Sequence, residues 1–310
     1  MSRPARLSLP LVGMFALLAA AFAGCARLPD PAVRRQAALA LAARGGLAPL
    51  PPAHARLPVL ALGRDGPGED LTVYIEGDGL AFLNRTTPSP DPTPLSPLAL
   101  KLALADPAPK LAYLGRPCQY AAPLPAACRP DLWTAARFGV EDLAALDLAL
   151  DAAKEALGAR RLHLVGYSGG GGMAVLLAAR RDDVVDLVTV AGNLDTRAFV
   201  AWHKVTPMTG SANPMDAAAA VSRLPQVHVS GGADRICPPF LAEAFLAKEG
   251  TPSRASRLVL PGVTHYHGYE TAWPTVLGRI RQRLRLAAAT GHAGVAPSGE
   301  DGVASASKME

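Results

Sequence analysis

The sequence predicts an α/β protein: a mostly parallel sheet flanked by helices, with a small lid insertion. Three observations predict it. Short apolar runs alternate with segments that repeat apolar residues at helical spacing along most of the chain. Half of the 310 residues are hydrophobic and 18% are charged, enough apolar mass for a full-sized core. The run 184–190 is dominated by Val and Leu, as expected of a parallel strand covered on both faces.

Residues 1–24 read as a leader that is removed, not folded. Arg3 and Arg6 give a charged start, and residues 7–23 an apolar stretch ending in small residues. The boundary Phe22-Ala23-Gly24-Cys25 resembles a bacterial lipobox, although Phe22 stands where Leu is usual. The resemblance implies that Cys25 becomes residue one and carries the acyl chains, palmitate among them, of a lipoprotein anchor. Ala26 after it implies outer-membrane sorting in a Gram-negative host, facing the periplasm. Cleavage at an ordinary small-residue site is the alternative. Export makes the other cysteines informative, because disulfides persist in oxidising compartments. Cys118 and Cys128 flank a Pro- and Ala-rich segment and are expected to pair, which leaves Cys237 as either a small buried hydrophobe or a reactive thiol.

Residues 25–55 are rich in Ala, Arg and Pro and read as a tether with one helix over 31–44. Strands are expected over 57–62 and 71–75, joined by Gly63-Arg64-Asp65-Gly66-Pro67-Gly68 as a hairpin or tight connection. The Pro-dense segment 86–97 must be loop, 98–105 is a helix and 111–114 a strand. Over 140–157, Leu143, Leu146, Leu150, Ala153 and Leu157 form one helical stripe that Gly158 stops. Strands at 161–165, 184–190, 226–229 and 257–260 then alternate with helices at 169–180 and 241–248. Trp273-Pro274 opens a last helix with Val276, Leu277, Ile280 and Leu284 inward, and Arg279, Arg281, Arg283 and Arg285 on a solvated face. Residues 289–310 are too poor in bulky apolar groups to fold. Right-handed crossovers gather functional residues at the carboxyl ends of such strands.

Gly166-Tyr167-Ser168-Gly169-Gly170 is a G-x-S-x-G between an apolar strand and an apolar helix. A sharp turn there lifts a serine hydroxyl above the sheet, and the small residues let strand and helix approach. A serine needs a base, and the base needs an orienting acid. Ser230-Gly231-Gly232-Ala233-Asp234 follows one later strand, and Pro261-Gly262-Val263-Thr264-His265 follows the next. With these residues the chain resembles the α/β-hydrolase family over about residues 57–286, within a domain spanning 56–288. The resemblance implies Ser168 as nucleophile, His265 as general base and then acid, and Asp234 as the group that orients the imidazole. His267 is the rival histidine and Asp195 the rival acid. Oxyanion donors are implied at the backbone N–H of Gly169 and of Asp78, the latter in Glu76-Gly77-Asp78-Gly79, where Glu76 replaces the family's usual histidine. Residues 193–224 exceed a normal crossover, at the position of the family's lid, and Trp202, His203, Met208 and Met215 either line an acyl pocket there or pack.

The reaction expected is hydrolysis of a carboxylic ester or thioester, on a small-molecule or acyl substrate, with no metal or organic cofactor. Amide cleavage or acyl transfer would use the same residues. A non-catalytic envelope-binding lipoprotein is the alternative from another class. Nucleic acid is not an expected partner: Lys and Arg number 31 against 26 Asp and Glu, two of the 31 lie in the leader, and aromatics make up 5%. The membrane enters through the lipid anchor alone, and the sequence does not set the oligomeric state.

Overall fold

The computed structural model describes residues 28–250 and 254–292. The leader, Cys25 and the tail from 293 onward therefore lie outside the described residues. Among the described residues eight strands form one sheet: β1 (Ala48–Pro49), β2 (Ala61–Arg64), β3 (Asp70–Ile75), β4 (Leu111–Leu114), β5 (Arg161–Tyr167), β6 (Val184–Val190), β7 (Gln226–Gly231) and β8 (Ala255–Leu260). Their spatial order is β1-β2-β4-β3-β5-β6-β7-β8. β1 and β2 are antiparallel to their neighbours, and β3 to β8 run parallel.

Helices cover both faces: α1 (Pro31–Arg44), α2 (Leu98–Leu104), α3 (Val140–Ala156), α4 (Gly169–Ala178), α5 (Thr196–His203), α6 (Ala218–Val221), α7 (Phe240–Glu249) and α8 (Tyr269–His292). Strand alternation divides the core between them. Leu71, Val73 and Ile75 of β3 point to the face covered by α3, α4 and α6, with Leu143, Leu146 and Leu150. Tyr74 points to the other face, where Ala38 of α1, Leu102 of α2 and Trp273 of α8 meet it. The α3 stripe is buried as its spacing predicts.

Five expectations need correction. Of the two readings of the segment between β2 and β3 the short connection stands and the hairpin does not, because β4 lies between the two strands: Leu62 of β2 faces Tyr113, and Val73 of β3 faces Ala112. The crossover through α2 sets β4 beside β3, and β2 lies beyond β4, between it and the edge strand β1. The strand expected at 57–62 is displaced to 61–64; Pro58 has no N–H to give a ladder, and its carbonyl instead accepts from Cys118 N–H. Residues 31–50 are no tether, since Ala38, Ala42 and Leu47 enter the core and Arg34 pairs with buried Asp91. The arginines of α8 are not simply solvated. Arg281 donates to buried Asp106 at 2.6 Å and Arg283 to the Arg257 carbonyl at 2.8 Å. That helix also starts earlier, at Tyr269, and continues through residues expected to be tail.

The 193–224 crossover is packed along most of its length, with Met208, Ala218, Val221 and Leu224 in the core and Met215 against it. From this segment Asn193, and Phe199 of α5, reach the carboxyl edge of the sheet at Ser168. Cys118 and Cys128 form a disulfide, and Cys237 is a buried free thiol.

Candidate active site

Ser168 joins β5 to α4 with φ 53° and ψ −121°, a strained conformation for a residue with a side chain. Its surroundings hold it there: Ser168 N–H donates to Val190, and its carbonyl accepts from Gly171 and Asn193 N–H. Glycine is required on both sides. A Cβ on Gly166 would fall 2.2 Å from the Gly170 carbonyl oxygen, and one on Gly170 would fall 2.3 Å from that of Ile75.

The loops after β7 and β8 bring the acid and the imidazole to this turn. His265 Nε2 is 3.0 Å from Ser168 Oγ, and His265 Nδ1 is 2.8 Å from Asp234 Oδ2. Asp234 Oδ1 accepts the N–H groups of Ile236 (2.8 Å) and Cys237 (2.9 Å), which fixes the carboxylate. All three side chains are buried or nearly so. A hydroxyl in hydrogen-bond reach of an imidazole whose other nitrogen is held by a carboxylate is set to pass its proton to Nε2.

The rivals sit elsewhere in the hydrogen-bond network. Asp195 caps α5, accepting from Arg197 N–H at 2.9 Å and Ala198 N–H at 3.2 Å. His267 is exposed at the mouth, its N–H donating to Thr264 Oγ1. Burial first, then the nearby carboxylates of Asp234 and Asp78, push the Cys237 thiol well above its ordinary range, which favours the thiol over the nucleophilic thiolate.

Gly169 is the first residue of α4, so its N–H is one of the donors that a helix start leaves without an intrahelical acceptor. Asp78 stands opposite. Its carboxylate is clamped by Arg137 at 2.7 Å and Arg116 at 3.0 Å. Burial works to raise the Asp78 carboxyl, but the two guanidiniums outweigh it and hold it below the usual range. Glu76 is fully enclosed: Oε1 accepts Gly77 N–H at 2.9 Å and Ala99 N–H at 3.4 Å, and Oε2 accepts the Tyr113 hydroxyl at 3.1 Å. Burial raises its carboxyl to about 7 against these hydrogen bonds.

A cavity of about 600 Å³ opens over Ser168 and His265. Phe82, Leu95, Phe199, Ile236 and Tyr266 make most of its wall apolar, and the Lys101–Glu270 ion pair stands on one side. Trp202 and His203 do not line it; they bond the carbonyls of Arg235 and Ile236. Sequence reasoning missed Arg116 and Arg137, which carry no motif. It also missed the Tyr167 hydroxyl, which donates to the His265 carbonyl at 2.9 Å and ties the serine turn to the histidine loop. Asn193 was missed too; it lines the cavity, and neither polar atom of its amide has a partner.

No protein-family model matches the chain, and no curated protein does. Solved structures match its fold. An acylaminoacyl peptidase of Pyrococcus horikoshii superposes with a TM-score of 0.54 at 13% identity, over 77% of this chain and 41% of that one, so the chain spans about two fifths of that enzyme. Est1E from Butyrivibrio proteoclasticus gives 0.53 at 14% identity, over 76% of this chain and 100% of that one. An esterase of Pyrococcus furiosus gives 0.53 at 10% identity, over 78% and 92%. The architecture is the α/β-hydrolase fold, and these neighbours are hydrolases.

Proposed function

We propose that this protein, on its α/β-hydrolase fold, is a serine hydrolase that cleaves a carboxylic ester or thioester through an acyl-enzyme at Ser168. The reading rests on one observation: the unbroken relay from Ser168 Oγ through His265 to Asp234, at 3.0 Å and 2.8 Å. In this mechanism Ser168 Oγ attacks the carbonyl carbon while His265 Nε2 takes its proton, and Asp234 stabilises the imidazolium that results. The negative charge passes to the carbonyl oxygen, where the N–H groups of Asp78 and Gly169 receive it. Collapse breaks the bond to the leaving alcohol or thiol, which takes the proton from Nε2. Water then gives a proton to His265, attacks the acyl carbon and releases the acid, returning the proton to Oγ.

A fluorophosphonate probe tests the reading. It should label the wild type and not Ser168→Ala; a folded wild type that stays unlabelled would leave the scaffold as a binding module. Turnover of p-nitrophenyl esters, thioesters and aminoacyl amides ranks ester cleavage against amide cleavage on the same residues.

Export and anchoring through Cys25 complete the proposal. The Cys118–Cys128 disulfide supports an oxidising compartment. Metabolic labelling with palmitate should mark the wild type and not Cys25→Ser.

A further inference from the structure

We infer that the rim of the Ser168 cavity is a docking face for an anionic phospholipid surface. Among the described residues twelve large hydrophobic side chains are exposed, and half of them gather at this rim: Phe82, Leu83, Leu95, Trp202, Phe240 and Tyr266. Three of the six, Phe82, Leu95 and Tyr266, also line the cavity.

The others are joined to them by contacts. Trp202 and Phe240 meet edge to face at 5.5 Å, and the Trp202 indole N–H donates to the carbonyl of Arg235, beside the cavity residue Ile236. Arg85, two residues beyond Leu83, donates to the carbonyl of His203, next to Trp202 at the end of α5. The apolar side chains are thus held outward by the fold. Exposed apolar surface gathered around one opening marks a contact face, and Trp and Tyr are side chains that settle at the boundary between lipid and water.

The charge around the rim selects the partner. Arg85, Lys204 and Arg235 are exposed, and none has an acidic partner among the described residues. The acidic side chain at the mouth, Glu270, is taken by Lys101 at 2.9 Å. A cationic cluster at the end of α5, beside an apolar rim, complements a surface with negative headgroups above acyl chains. A protein seated on the same rim would cover the entrance to Ser168. A lipid surface would instead feed an acyl ester through that entrance, and this last consequence alone rests on the hydrolase reading.

Tryptophan emission tests the docking without any turnover. Trp133 and Trp273 are buried, at 4% and 0% exposure, whereas Trp202 is 52% exposed, so a change in emission reports the rim. The full chain is titrated with vesicles of phosphatidylglycerol and phosphatidylcholine, and with phosphatidylcholine alone. The expected result is a saturable blue shift on the mixed vesicles that is at least about tenfold weaker on phosphatidylcholine and is suppressed by salt. The Trp202→Phe variant should lose the shift. Leu95→Ser with Tyr266→Ser should weaken binding about tenfold, and Arg85→Glu with Lys204→Glu and Arg235→Glu about a hundredfold. Circular dichroism and the thermal midpoint establish that each variant is folded.

Three outcomes would overturn the proposal. They are no shift on either vesicle, co-sedimentation without a shift (contact through another part of the chain), and a shift indifferent to the three charge reversals. Failure of the hydrolase reading is separate, because it shows in fluorophosphonate labelling and leaves the emission result standing.

Discussion

A Cβ on Gly169 would fall 1.9 Å from Oδ1 of Asp78, so the two loops proposed to supply the oxyanion donors are in direct contact. A carboxylate at the end of a free side chain would swing away from a new methyl group. This one cannot, because Arg137 and Arg116 hold its two oxygens from behind. Gly169→Ala therefore has to move the start of α4 or break the clamp, and either change displaces a donor. The expected outcome is a loss of kcat of about 100-fold or more, the scale of losing one oxyanion donor, with the fold retained. Steady-state kinetics on a p-nitrophenyl ester, with circular dichroism as control, measure it.

The same clamp extends to a second acid. Arg116 Nη2 lies 3.4 Å from Asp142 Oδ2, and both side chains are almost wholly enclosed. Burial raises the Asp142 carboxyl to about 7 even with Arg116 beside it. Removing the guanidinium leaves Asp78 and Asp142 enclosed with less compensation. Arg116→Met should cost about 3–5 kcal/mol in urea unfolding, the usual scale for breaking a buried pair. Adding Asp142→Asn should recover part of that loss. A single substitution costing under 1 kcal/mol would contradict the account.

The two acids weighed from sequence should separate by kinetics. Asp234 faces His265 Nδ1, whereas Asp195 caps α5 and also accepts the Asn213 side-chain N–H at 2.9 Å. Asn is as good a helix cap as Asp, so Asp195→Asn should stay within a fewfold of wild type. Asp234→Asn leaves the ring without its anionic partner and in the wrong tautomer, and should lower kcat by about 10⁴-fold. The reverse order would move the acid's role to Asp195.

What was legible in the sequence was what local chemistry encodes. The α3 stripe, the β6 run and the turn at Ser168 each depend on neighbours within a few residues, and all three lie where spacing put them. The convergence of Asp234 and His265 on Ser168 was legible because parallel strands bring successive loops to one edge. The antiparallel edge was not, since the placement of β2 beyond β4 depends on pairing between distant segments. Arg116 and Arg137 were invisible for the same reason. Isolated arginines in a loop gain meaning only when Asp78, 38 and 59 residues away, is folded against them. The 31–44 helix was found but its docking was not, because an Ala- and Arg-rich face gives little sign that Ala38 and Ala42 are core residues.

Glu76, where the family's usual residue is histidine, gives a pH prediction whose sign is fixed by its burial. Its carboxyl is raised to about 7 in the folded chain from an ordinary value of 4.5. The groups that meet it are the backbone N–H donors of Gly77, Ala99 and Leu100 and the hydroxyl of Tyr113, itself 2.9 Å from Tyr120; none of these is a cation. Between those two pH values the folded protein binds a proton that the unfolded chain has released, so stability falls as pH rises from about 4.5 to about 7 and is level above that. Glu76→Gln removes the titration while keeping an oxygen for Gly77 N–H and an N–H₂ for the Tyr113 oxygen. The variant should therefore match wild type at about pH 4 and below and exceed it at pH 8 by an amount on the order of 3 kcal/mol. Thermal midpoints of both proteins across this range measure the difference. A gap that is constant with pH, or one that opens toward acid, would mean that Glu76 is held ionised by something other than these donors.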